Sequence, residues 1–92
     1  MAATVKLPTI LRKHTDGQAA VQADGATVGD VLQDLESRYA GVTRTILTDD
    51  GAGLHRFVNV YVNGEDVRYS GSLAAPVAEG DTISILPAVA GG

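Results

Sequence analysis

Residues 27 to 41, TVGDVLQDLESRYAG, repeat their apolar side chains at helical spacing, and this segment narrows the possible folds more than any other. Val28, Val31, Leu32, Leu35 and Tyr39 recur three or four positions apart and so line one side of a helix. Thr27 is a good N-cap, Asp30 stands three residues later in a box-like position, and Gly41 is placed to stop the helix. A chain of 92 residues buries only about 60 to 65% of its unfolded surface, which leaves room for one modest core. One amphipathic helix therefore needs one apolar sheet face to cover.

The flanking segments supply that sheet. ATVKL (3 to 7) alternates, Pro8 ends it, and RKHTDG (12 to 17) reads as a turn into QAAVQA (18 to 23), an opening hairpin. After the helix come a short apolar piece, VTRTIL (42 to 47), and a polar connection, TDDGAG (48 to 53). RFVNVYVNGEDVRY (56 to 69) puts Val58, Val60 and Val62 on one face and Phe57, Asn59 and Tyr61 on the other. Asn63-Gly64 then marks a tight hairpin, because a type I′ turn needs positive φ at both central positions. EGDTISILP (79 to 87) gives a last strand with Ile83 and Ile85 inward, closed by Pro87, which has no N–H to donate. The order strand, strand, helix, strand, strand, strand is that of an α+β fold of the β-grasp, ubiquitin-like kind. It predicts a mixed sheet of about five strands crossed by one main helix. The expected core is Val5, Leu7, Val21, Val31, Leu32, Leu35, Val58, Val60, Val62, Ile83 and Ile85.

Several function classes drop out. With no cysteine, the chain has no disulfide, thiolate metal site or Cys nucleophile. A net charge of −4 argues against nucleic acid. No apolar run approaches a membrane span and no secretory leader is evident, so a cytoplasmic protein is expected. Residues 1 to 44 balance Lys6, Arg12, Lys13, Arg38 and Arg44 against Asp16, Asp24, Asp30, Asp34 and Glu36. Residues 45 to 92 set Arg56 and Arg68 against Asp49, Asp50, Glu65, Asp66, Glu79 and Asp81. The excess of acid thus sits in the second half, as solvated loops or as a docking face for a basic partner. His14 and His55 lack ligand spacing, GAG (51 to 53) completes no dinucleotide fingerprint, and the carboxylate pairs Asp49-Asp50 and Glu65-Asp66 read as turn residues, so no catalytic site is expected.

The sequence closes on ILPAVAGG, and a glycine pair contributes nothing to a core. It is either a frayed end or a group that works through the carboxylate of Gly92. The stretch FVNVYVNGEDVRYSGSLAAPVAEGDTISILPAVAGG (57 to 92) holds strand, Asn-Gly turn, Leu73 to Val77 segment, Gly80-Asp81 turn and Gly91-Gly92 in the order of a known family. Over essentially the whole chain it resembles the ubiquitin-like sulfur carriers, which include the thiamin, molybdopterin and cysteine-biosynthesis carriers. LHRFVNVYVN and LPAVAGG look most like the actinobacterial cysteine-synthesis branch.

That resemblance implies a β-grasp domain over 1 to 86 and a flexible tail over 87 to 92. The tail would carry sulfur as a thiocarboxylate on Gly92, with Gly91, Ala90 and Val89 needed to enter an activating enzyme. Six extended residues reach roughly 20 Å, and glycines pass where a side chain would clash. The implied partners are an E1-like adenylating enzyme that uses ATP and Mg, a PLP-dependent cysteine synthase and a zinc metallopeptidase that releases cysteine. The chain itself would bind no cofactor and act as a cosubstrate, not an enzyme. The molybdopterin and thiamin pathways share the tail, and a ubiquitin-like modifier joined to lysines uses the same activated glycine. Phe57, Tyr61 and Leu86 form a candidate docking patch beside the tail, unless the helical piece Val42 to Leu47 covers part of it.

Overall fold

Thr27 opens the helix as its spacing predicts. In the computed structural model, which describes residues 2–48, 53–54 and 58–87, its own backbone is extended and its Oγ1 accepts the Asp30 N–H at 3.2 Å. The helix, α1 (Val28–Arg38), buries Val28, Val31, Leu32 and Leu35 completely. Gly25 lets the preceding chain come in close: a Cβ there would lie 2.5 Å from the Val31 nitrogen.

Five strands form one mixed sheet under that helix: β1 (Ala2–Lys6), β2 (Ala20–Asp24), β3 (Val58–Val62), β4 (Glu65–Asp66) and β5 (Thr82–Pro87), in the spatial order β2-β1-β5-β3-β4. β1 and β5 are parallel neighbours at the centre, with Val5 opposite Ile83, and the other pairings are antiparallel. Ala3, Val5, Val21, Ala23, Val58, Val60, Ile83 and Ile85 face the helix and are buried. The β-grasp expectation is met. Of the expected core residues only Val62 is partly exposed, and it still packs against the cluster.

The second hairpin turns on Asn63 (φ 51) and Gly64 (φ 89), the two positive values that the Asn-Gly pair implies. β4 is only two residues long, because Val67–Tyr69 coils into a 3-10 turn that buries Val67. The first hairpin differs more from its sequence reading. Residues Thr9–Thr15 form a 3-10 helix that buries Leu11 and Thr15, and the tight turn is confined to Asp16 (φ 54) and Gly17 (φ 82). The piece after α1 is likewise a 3-10 helix, Val42–Thr45, and sends Val42 and Ile46 into the core. Pro87 is still paired, opposite Val58, so the ladder runs one residue past Leu86.

Candidate functional site

β5 is the strand that leads toward Gly92, and its register is fixed from both sides. Along β3 it pairs Ile83 with Val62, Ile85 with Val60 and Leu86 with Asn59; along β1 it pairs Thr82 to Ser84 with Thr4 to Lys6. The start of β5 is tied down by side chains as well. Asn63 donates from Nδ2 to Asp81 Oδ1 at 2.9 Å and accepts the Thr82 N–H at 3.0 Å. Asp81 also accepts the Ala78 N–H at 2.8 Å, and these two donors hold its carboxyl below the ordinary carboxylate value. At the other end Arg68 grips the neighbouring strand, donating to the Val58 carbonyl at 2.7 Å and to Asn59 Oδ1 at 2.9 Å. The strand that carries the tail is thus anchored along its length.

Where β5 ends, the surface is apolar. Leu86 is 48% exposed on the sheet face away from α1, and Tyr61 lies partly buried on that same face, opposite Ser84. Val42 and Ile46 go into the core, so the piece after α1 leaves Leu86 open. Phe57, the third member of the expected patch, and the tail residues Val89, Ala90, Gly91 and Gly92 lie outside the described residues.

On the other flank of Leu86 the structure adds a cleft that the sequence reading missed. β1 and β5 run parallel with Thr4 N–H donating to the Asp81 carbonyl, so the donors recur every second residue: Thr4, Lys6, then position 8. Position 8 is proline and cannot donate, while the Leu7 N–H points to the opposite side and bonds the Ala19 carbonyl, continuing the pairing of β1 with β2. The two strands part there, leaving a cleft of roughly 620 Å³ between Pro8 and Ile10 on one wall and Leu86 and Pro87 on the other. Lys6 and Arg12 also line it. The one signal in the sequence was Pro8, which marked the end of a strand but not what forms beside it.

Of the four acidic residues of the second half that are described, three accept backbone N–H groups. Asp66 caps the Val67–Tyr69 turn by accepting the Arg68 N–H at 2.9 Å, Glu79 accepts the Ala2 N–H at 3.0 Å, and Asp81 is bound as described. Among the described residues no three His, Cys, Asp or Glu side chains gather in a way that could hold a metal, and no helix is long and apolar enough to cross a membrane. His55 and the Asp49-Asp50 pair lie outside the described residues.

Comparison with known proteins agrees with this geometry. The ThiS family model matches residues 5–92. Sulfur carrier protein CysO of Mycobacterium tuberculosis is 56% identical over 93 residues, covering 100% of both chains. A crystal structure of the Amycolatopsis orientalis BexX/CysO complex contains a chain that superposes with a TM-score of 0.91 at 57% identity, covering 98% of this chain and 99% of that one. Small archaeal modifier protein 3 of Haloferax volcanii is 42% identical over 69 residues, 75% of this chain and 73% of its own.

Proposed function

The chain belongs to the ThiS family, and from that premise we propose that it is a sulfur carrier whose cargo rides on Gly92. The observation that supports this most is the full-length match to a sulfur carrier protein, together with a β5 that is anchored along its length and ends at an exposed rim. A carboxylate is a poor acyl donor. An activating enzyme therefore joins the Gly92 carboxylate to the α-phosphorus of ATP, releasing pyrophosphate, and a sulfur nucleophile then displaces AMP from the acyl carbon to leave a thiocarboxylate. No side chain of this protein is needed as acid, base or nucleophile. Its own contribution is positional: a rigid sheet presents the root of the tail, and small residues let the tip enter a narrow active site.

The acceptor pathway we favour is cysteine biosynthesis, because a relative that matches the whole chain at 56% identity is a CysO. The partners would then be a PLP-dependent synthase, which adds the sulfur to an aminoacrylate, and a zinc metallopeptidase, which frees the cysteine after an acyl shift from sulfur to nitrogen. Incubation with an activating enzyme, ATP and a sulfur source, followed by intact mass measurement, tests the first step. Exchange of one oxygen for one sulfur on the free protein is expected. The second reading, a protein modifier, draws on the match to the archaeal modifier; it requires adducts of this 9.5 kDa chain on lysines of other proteins.

A further inference from the structure

We propose that Asn63 is a site of self-modification: its side-chain amide deamidates through the Gly64 nitrogen, the bonds to Asp81 and Thr82 hold that reaction off in the folded chain, and the carboxylate it leaves unfastens the start of β5. This goes beyond the sulfur-carrier reading and stands whether or not that reading holds.

The chemistry belongs to the dipeptide. The Gly64 nitrogen attacks the Asn63 Cγ, the bond from Cγ to Nδ2 breaks, and ammonia leaves with the proton that the Gly64 nitrogen gives up. Water then opens the cyclic imide at either carbonyl and leaves aspartate or isoaspartate, with nothing oxidised or reduced. The chain has two asparagines, Asn59 and Asn63. Asn59 is followed by the branched Val60, which crowds the attacking nitrogen, and its Oδ1 accepts from Arg68 at 2.9 Å. Asn63 is followed by a residue with no Cβ, so the same glycine that lets the turn reach a φ of 89 also leaves its nitrogen open.

The fold sets itself against that reaction. The Asn63 N–H donates to the Thr82 carbonyl at 2.8 Å, Asn63 Oδ1 accepts the Thr82 N–H at 3.0 Å, and Asn63 Nδ2 donates to Asp81 Oδ1 at 2.9 Å. Ring closure has to swing the amide back over its own peptide, and that movement breaks both side-chain bonds. Asn63 and Gly64 are exposed, so water reaches the imide once it forms. The rate is therefore set by the fraction of chains in which this corner is open. The product cannot return to its place. A donor has become a carboxylate that only accepts, facing Asp81 with like charge. Asp81 then keeps only the Ala78 N–H of the two donors that hold its carboxyl low. Isoaspartate also adds a carbon to the main chain inside the tight turn, where Val62 pairs with Glu65.

The test ages the full chain in neutral buffer beside a synthetic peptide of residues 56 to 69. Samples are digested at intervals, and the asparagine, aspartate and isoaspartate forms of each peptide are separated and weighed. Conversion is expected at Asn63 and not at Asn59. In the folded chain it should run at roughly a tenth of the peptide's rate or less, the factor that a broken hydrogen bond puts on the open fraction. Asp81→Ala removes the acceptor of the amide and should raise the folded chain's rate severalfold. Leu11→Ala lowers stability from a core site outside this corner, and should deamidate more slowly than Asp81→Ala even where it melts lower. Chains converted at position 63 should melt below the unaged protein and exchange the Thr82 N–H faster. Conversion as fast in the folded chain as in the peptide would overturn the guarding role, as would rates that follow melting temperature whichever residue is changed. Earlier conversion at Asn59 would overturn the site, and converted chains with unaltered melting and exchange would overturn its hold on β5.

Discussion

Asn63 shows how one residue can serve a turn and a strand at once. It sits at φ 51, a region that costs an ordinary L-residue about 1 to 2 kcal/mol, and its side chain bonds both Asp81 and the Thr82 N–H. Asn63→Gly should lose only the hydrogen bonds, about 1 kcal/mol each, whereas Asn63→Ala should lose the same bonds and add the backbone strain. Denaturant unfolding is expected to rank wild type above Asn63→Gly above Asn63→Ala; equal losses would mean that the strain is absent. Glu36 makes a second such point, linked to pH. Its carboxylate accepts the Gly41 N–H at 2.6 Å, the Thr43 hydroxyl at 2.6 Å and the Thr43 N–H at 3.0 Å, and these donors hold its pKa below the ordinary 4.5. A group whose folded pKa is depressed stabilises the fold above its unfolded pKa, and that stability is lost as the pH falls through the folded value. Glu36→Gln should therefore lower the melting temperature at pH 7. The gap from wild type should narrow as the pH drops below about 4.5 and close in strong acid. A gap that stays constant with pH would contradict this account.

The elements differ in how plainly the sequence declared them, and the reason is the range of the forces that make them. The helix carries its own signals within fifteen residues, a cap at Thr27 and a stripe from Val28 to Leu35, and the Asn63-Gly64 turn carries its signal within two. The 3-10 segments have no 3.6-residue period to read. Leu11, Val42, Ile46 and Val67 are buried because the rest of the fold covers them, and their neighbours in sequence look like loops. The Gly92 tail was legible as a motif at the end of a strand. The cleft beside it was not, since Lys6 to Arg12 meet Ser84 to Pro87 only after β1 and β5 pair across the sheet. The hidden 3-10 helix should prove as important as the obvious one. Leu11→Ala empties a site that is 2% exposed and is expected to cost about 2 to 5 kcal/mol, a loss like that of Leu32→Ala in α1. Thermal unfolding of the two variants makes the comparison. A Leu11→Ala loss of under about 0.5 kcal/mol, the surface level, would show that the 3-10 helix is an ornament on the core.

At the scale of the whole molecule, stability and the proposed function occupy different stretches of one chain. Every buried residue among those described lies at or before Ile85, while Leu86 and Pro87 are exposed. The core is a single cluster shared by the sheet, α1 and three of the 3-10 segments, so large-to-small changes within it are felt throughout. The proposed chemistry lies seven residues beyond the last of those core positions, at Gly92. Deleting Gly92 should therefore leave unfolding unchanged within about 0.5 kcal/mol. It should nonetheless abolish thiocarboxylate formation. The new terminus would fall short by about 3.5 Å, when a misplacement of even ~1 Å can slow an enzyme ~10²-fold. Gly91→Val keeps the length and the carboxylate but adds a branched side chain one residue from the reacting carbon. Conversion should fail there too, for want of space instead of reach. The measurement is paired: a melting curve and an intact mass for each variant after incubation with activating enzyme, ATP and a sulfur source. Normal conversion by the truncated chain would remove Gly92 from the mechanism. A large drop in melting temperature would show that the tail belongs to the fold, and that delivery and stability are not separable in this protein.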